Sequence, residues 1–174
     1  KMNNDVKFDI GLKGLCTYNK LGLIKDFIKD SKIIYGEAPS LEELENKMKK
    51  SPRKVILLFT KKGCPFCKEM KETTLIDPEV IKLINENYYA VMLDGKSKEA
   101  ITFKGVTYIN DASIEEDPKS TWRHNLFAEL VEPYNGGYYW PSTVILDTNL
   151  DLIKSFPGSQ KPPQFKRLLM NYMR

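Results

Sequence analysis

Two cysteines stand three residues apart in the run Gly63-Cys64-Pro65-Phe66-Cys67-Lys68. If that run opens a helix, the spacing puts both sulfurs on one face, at a separation that suits a disulfide closed with little strain. Such a pair opens and closes through attack by a thiolate. At a helix start, Cys64 meets unpaired amides and the positive end of the dipole, which lower its pKa below the free value of about 8.5. Lys61 and Lys62 push the same way. Pro65 fits the first turn, where an amide hydrogen is not missed, and Phe66 presents an aromatic ring beside the sulfur. Cys67, a turn further in, is the natural resolving thiol. The spacing alone also fits half of a zinc site, for which only Cys16 and His124 remain as further ligands, or two inert buried cysteines. His124, the only histidine, reads as a solvated residue more than as a base. Cys16 reads as an incidental thiol, with an intermolecular disulfide as the alternative in an oxidising compartment.

The elements that must position this pair are legible around it. Val55-Ile56-Leu57-Leu58-Phe59 is an unbroken apolar run of strand length, as expected of a central strand covered on both faces, and Gly63 breaks it. A helix is predicted from Cys64 to about Leu75. Asp77-Pro78-Glu79-Val80 then supplies a cap, a first-turn proline and an acid for a second helix, and Tyr89-Ala90-Val91-Met92-Leu93 forms the next strand. Strand, helix, strand in that order predicts a parallel pair with a right-handed crossover. Upstream, Leu21, Leu23, Ile24, Phe27 and Ile28 recur at helical spacing, Ile33-Ile34-Tyr35 reads as a short edge strand, and Ser40 with Glu43 reads as a capping box before Leu41, Leu44 and Met48. Pro52 ends that helix. Downstream, Ile101 and Phe103 alternate toward Lys104-Gly105, with Val106 and Tyr108 after it, which predicts a hairpin. Leu126, Phe127, Leu130 and Val131 mark a helix closed by Pro133 and Asn135-Gly136-Gly137. A strand at 143–146, a turn at 147–149, a strand at 150–156, a break at Pro157-Gly158 and a last helix through Phe165, Leu168, Leu169 and Tyr172 complete the chain.

Length and composition bound what this assembly can be. A chain of 174 residues with 41% hydrophobic content is the size of one domain with one core. The net charge of +4 comes from dispersed lysines, and the densest group (Lys47, Lys49, Lys50, Arg53 and Lys54) reads as a solvated helix end. No aromatic side chains interleave with it as they do where bases are stacked, so nucleic acid is not an expected partner. The apolar run at 55–59 is far short of the ~20 residues that span a bilayer. The first residue is Lys1 and not methionine, which suggests a trimmed or processed chain, so the lack of a signal-peptide core excludes no compartment. Three cysteines are too few to staple a chain of this length, which points to chemistry.

On these residues the chain resembles the thioredoxin-like family over about 33–173. The strand at 55–60 leads into Cys64-Pro65-Phe66-Cys67, and Trp140-Pro141-Ser142-Thr143 precedes a later strand. Two separated motifs in the right order make the match specific. The resemblance implies an α/β fold, a central mixed β-sheet flanked by helices, with residues 33–174 forming the domain, an inserted hairpin and helix at about 95–140, and residues 1–32 a partly helical extension. Within the family the chain is most similar to bacterial extracytoplasmic members, through Asp77-Pro78-Glu79-Val80, Ile101-Thr102-Phe103-Lys104-Gly105 and Phe156-Pro157-Gly158-Ser159-Gln160. It implies that Cys64 attacks and Cys67 resolves, and that a cis Pro141, with the Trp140 backbone, forms the groove for an extended substrate segment beside Pro65 and Phe66. Tyr134, Tyr138, Tyr139 and Trp140 are candidates for a docking surface, or else cover the inserted helix. The implied activity is thiol-disulfide oxidoreduction of protein substrates with a further redox partner, as a reductase. The alternatives are an oxidase or isomerase, or a non-catalytic binding module. No cofactor or metal is implied, and a monomer in a periplasmic or secreted setting is expected. The chain departs from thioredoxin in two places. Leu58 stands where thioredoxin has a buried acid, and Gly63 stands where it has a tryptophan.

Overall fold

The computed structural model describes residues 33–35, 39–111 and 123–173. The helix expected at 21–28, and Cys16, lie outside them. A five-stranded mixed sheet has the order β1-β3-β2-β6-β7, formed by β1 (Ile33–Tyr35), β2 (Lys54–Thr60), β3 (Tyr88–Asp94), β6 (Ser142–Leu146) and β7 (Leu152–Pro157). β1 and β2 run parallel to β3, while β6 is antiparallel to both β2 and β7. β2 is central, and its residues from Val55 to Thr60 are all buried, as its unbroken apolar run requires.

Alternation along the strands divides the interior into two layers. One face buries Val55, Leu57 and Phe59 under α1 (Pro39–Lys50), the two-stranded hairpin β4 (Ile101–Phe103) and β5 (Val106–Tyr108), and α4 (Asn125–Leu130). The other buries Ile56 and Leu58 under α2 (Pro65–Thr73), α3 (Pro78–Asn87) and α5 (Pro162–Tyr172). The hairpin and α4 are therefore one wall of the core.

Local signals explain most boundaries. Asp77 caps α3, its Oδ1 accepting from the amides of Glu79 and Val80, with Pro78 in the first turn. Leu41, Leu44 and Met48 are the buried face of α1, as their spacing predicts. That helix begins at Pro39, which puts Ser40 inside its first turn; the side chains of the expected capping box lie outside the described residues. Leu150 is corrected from strand to turn. Its φ of 65° lies in the left-handed region, its amide donates to Asp147 O, and it reaches back into the core, so β7 starts only at Leu152. At the other end β7 runs through Pro157, and Gly158, with φ 76°, makes the break.

Candidate active site

The buried strand β2 ends at Thr60, and three residues later Gly63 turns the chain with φ 71°. Glycine adopts this left-handed conformation without the Cβ clash that other residues meet. The turn delivers Cys64 in extended conformation as the N-cap of α2, with Pro65 at the first helical position. Its sulfur accepts a hydrogen bond from the Cys67 amide at 3.1 Å. An amide that a helix start leaves without a backbone partner is thus aimed at the sulfur. Cys64 and Cys67 are joined by a disulfide across a Cα separation of 5.2 Å. Cys64 is 7% exposed and Cys67 2%, while the Phe66 ring between them is 62% exposed and Pro65 is also at the surface. Both cysteines are thus buried at the start of the helix, next to the exposed Pro65 and Phe66.

The second motif arrives on the neighbouring strand. Phe59 pairs with Ser142 and Leu58 with Thr143, so the end of β2 that leads to Cys64 lies beside the start of β6, which follows Pro141 directly. The Trp140–Pro141 peptide bond is cis. Two hydrogen bonds hold this loop: Ser142 Oγ donates to Tyr139 O at 2.6 Å, and Gly158 N–H donates to Pro141 O at 2.8 Å. The Trp140 ring stacks on Phe127 with centroids 4.5 Å apart, and Lys61 Nζ, from the loop before Cys64, lies 5.8 Å from its centroid. Residues 61 and 140 are thereby neighbours in space.

The four aromatics at 134–140 divide into two pairs. Tyr138 and Trp140 pack on Phe127 of α4, whereas Tyr134 and Tyr139 are exposed and meet edge to face at 6.1 Å. Sequence reasoning offered docking and covering as alternatives for the whole group. The two pairs have different surroundings.

His124 is corrected from solvated to fully buried. It caps α4, its Nδ1 accepting from the Leu126 amide at 3.2 Å while Nε2 lies 3.0 Å from Glu99 O. The carbonyl can only accept, so Nε2 carries the proton, and both nitrogens are occupied. Desolvation holds its pKa below the ordinary 6.5, against the opposing pull of the Glu99 carbonyl. His124 is therefore not free to ligate zinc, and no cluster of three His, Cys, Asp or Glu side chains fit to hold a metal occurs among the described residues. Its sequence signal was its place just before the apolar pattern of α4, where a capping side chain is expected.

Sequence reasoning missed Gly95. A Cβ built there would lie 2.5 Å from two atoms of the Trp140 ring and 3.1 Å from Phe127 Cδ2. The Gly95 amide donates to Thr60 O and its carbonyl accepts from the His124 amide, so it joins the end of β2 to the start of α4.

Comparison with known proteins agrees with this architecture. A thioredoxin from Thermus thermophilus superposes with a TM-score of 0.50 at 17% identity, covering 80% of this chain and 86% of that one. A disulphide isomerase from Xylella fastidiosa Temecula1 superposes with a TM-score of 0.54 at 13% identity, covering 80% and 93%. At such identities the likeness concerns the fold. Spermatogenesis-associated protein 20 of Rattus norvegicus is 26% identical over 101 residues, which are 58% of this chain and only 12% of that protein. The family model of the thioredoxin-like domain matches residues 41–172, which include both cysteines and the cis proline, and the chain belongs to that family.

Proposed function

We propose that the chain is a thiol-disulfide oxidoreductase that reduces protein disulfides through Cys64 and Cys67. The observation that carries this reading is the placing of Cys64 at the N-cap of α2, joined to Cys67 and accepting its amide, beside the loop of cis Pro141. The Cys64 thiolate attacks a substrate disulfide. A bond forms from Cys64 to one substrate sulfur, and the other leaves as a thiolate and takes a proton. Cys67 then loses its proton and attacks Cys64. The Cys64–Cys67 bond forms, the mixed disulfide breaks, and two electrons have passed to the substrate. Phe66, Pro65 and the loop of Trp140 and Pro141 would line the groove for an extended substrate segment, whose backbone pairing tolerates many sequences.

This reading includes a monomeric domain at 33–174, an insertion at about 95–140, an extension at 1–32, an unidentified redox partner that resets the dithiol, and a place among extracytoplasmic members of the family. The motif resemblances at 77–80, 101–105 and 156–160 support that placement. No helix among the described residues is long and apolar enough to cross a membrane.

The test is turnover of a model protein disulfide, which is expected to disappear in Cys64→Ser; full activity in that variant sinks the reading. A second reading, as an oxidase or isomerase, is favoured by Leu58 in place of a buried acid and by the Pro65-Phe66 pair. A reduction potential near about −270 mV supports the reductase, and one near about −180 mV or above supports the second reading.

A further inference from the structure

On the face of the sheet that α2 covers, β6 carries a hydroxyl with nothing to bond. Thr143 is fully buried, and its Oγ1 has no hydrogen-bond partner. Its neighbour Ser142 satisfies its own hydroxyl on Tyr139 O. The rest of β6, Val144, Ile145 and Leu146, is apolar, and valine would fill the same volume with no polar atom to desolvate. An orphaned buried hydroxyl is therefore a feature that calls for a use.

Its position indicates which one. Thr143 pairs with Leu58, so the two side chains share a face, and Ile145, two residues on, packs with Leu58 and with Met70 of α2. Cys67 precedes Met70 by three residues, on the same inward side of that helix, and is buried with it. Leu58 and Thr143 lie toward the end of the sheet that leads to Cys64, two residues before the end of β2 and two after Pro141.

Besides Thr60 at the end of β2 and the half-buried Lys71 on α2, the groups buried on this face are mostly apolar. From β2 come Ile56 and Leu58, from β3 Tyr88, Ala90 and Met92, from α3 Val80 and Ile84, and from α5 Phe165, Leu168 and Leu169. The Tyr88 hydroxyl is committed to Leu169 O, and that of Thr74, at the end of α2, to Gln160 O. The charged side chains of α2 next to Cys67, Lys68 and Glu69, lie toward solvent and are ion-paired with Glu72 and Lys161. A small cavity bounded by Leu58, Leu75, Ile84, Met92 and Phe165 is apolar, so it would hold no water to relay a proton.

We propose that Thr143 is the group that serves Cys67. In the reduced protein its hydroxyl donates a hydrogen bond to the Cys67 sulfur and stabilises the thiolate that resolves the mixed disulfide. When the disulfide closes, the charged acceptor is gone, and the hydroxyl has no partner, as observed. The hydroxyl keeps its own proton throughout. Cys67 gives up its proton before it attacks, to the substrate thiolate released in the first step; the second substrate sulfur, released as the Cys64–Cys67 bond forms and its own bond to Cys64 breaks, takes a proton from solvent. The inference rests on the redox reading above, and its failure is separable from the failure of that reading.

The test uses the full chain. With Cys16 and Cys64 replaced by serine, alkylation of Cys67 against pH reports its titration directly. Thr143→Val is expected to raise the apparent pKa by about one unit, a tenfold loss of thiolate near neutrality, as fits loss of a hydrogen bond to a charged acceptor. With the dithiol intact, the same change should slow release of a model substrate from its mixed disulfide about tenfold, while the first attack by Cys64 is unaltered. Thr143→Ser should restore both. The proposal is overturned if valine leaves the titration and the release rate unchanged, or if serine behaves as valine does. It is equally overturned if Ser159→Ala, which removes the orphaned hydroxyl of the loop after β7, reproduces the shift and Thr143→Val does not.

Discussion

His124 holds a turn together with an uncharged ring, and that makes it the residue whose titration the fold should feel. In the folded protein the ring is saturated by the Leu126 amide and the Glu99 carbonyl, and burial keeps its pKa below 6.5. Above pH 6.5 the ring is neutral in both folded and unfolded chains, and its contribution is complete. As the pH falls below that value the unfolded chain takes up a proton that the folded chain resists, so stability declines toward the lowered folded pKa. There is no other histidine, and carboxylates titrate mainly below about pH 5. Urea midpoints measured between those limits should fall with pH in the wild type and stay nearly level in His124→Asn, which keeps a capping acceptor without the charge change. An unaltered slope in the asparagine variant would place the titration elsewhere. The residue type was legible in the sequence, and its burial was not. A histidine before a helix can face water or protein, and here it faces protein because the hairpin connection brings the Glu99 carbonyl to it.

At the scale of elements, the loop of the cis proline depends on a glycine from a different strand end. The Trp140 ring lies over Gly95 closely enough that a methyl group there must displace it. Gly95→Ala should cost about 1–3 kcal/mol through overpacking. Because the displaced ring carries the peptide bond before Pro141, the variant should also raise KM for a protein disulfide more than it lowers the alkylation rate of Cys64. If the melting temperature and KM both match the wild type, Trp140 does not hold its loop through this contact. The pair Cys64 and Cys67, the strand before them and the Trp140-Pro141 motif were all legible, since each depends on near neighbours in sequence. Gly95 was not, because what makes it a glycine is a ring 45 residues later. Leu150 was misread for a related reason: an apolar residue after a polar turn looks like the start of a strand, yet here the left-handed turn itself sends the side chain into the core.

For the whole molecule, the question is whether the hairpin and α4, read from sequence as an insertion, ride on the domain or complete it. From sequence the insertion appears as a long connection with structure of its own, and hydrophobic spacing does not say what its apolar side chains meet. Ile101, Phe103, Leu126, Phe127 and Leu130 are buried in the same cluster as Val55, Leu57 and Phe59 of the central strand. Phe127 is fully buried, meets Phe59 edge to face at 5.3 Å and stacks on Trp140. It therefore links α4, the strand leading to Cys64 and the loop of Pro141. Phe127→Ala should remove about 3–5 kcal/mol, a large part of the roughly 5–15 kcal/mol by which a domain of this kind is stable. If the hairpin and α4 are a wall of the core, that loss falls on the entire domain. The far-ultraviolet signal and the protection of the reduced Cys67 thiol from alkylation should then be lost together, at the same lowered denaturant concentration. Were the hairpin and α4 an appendage, that helix would melt early in the variant while Cys67 stayed protected up to the wild-type midpoint, and two separated transitions would refute the shared core.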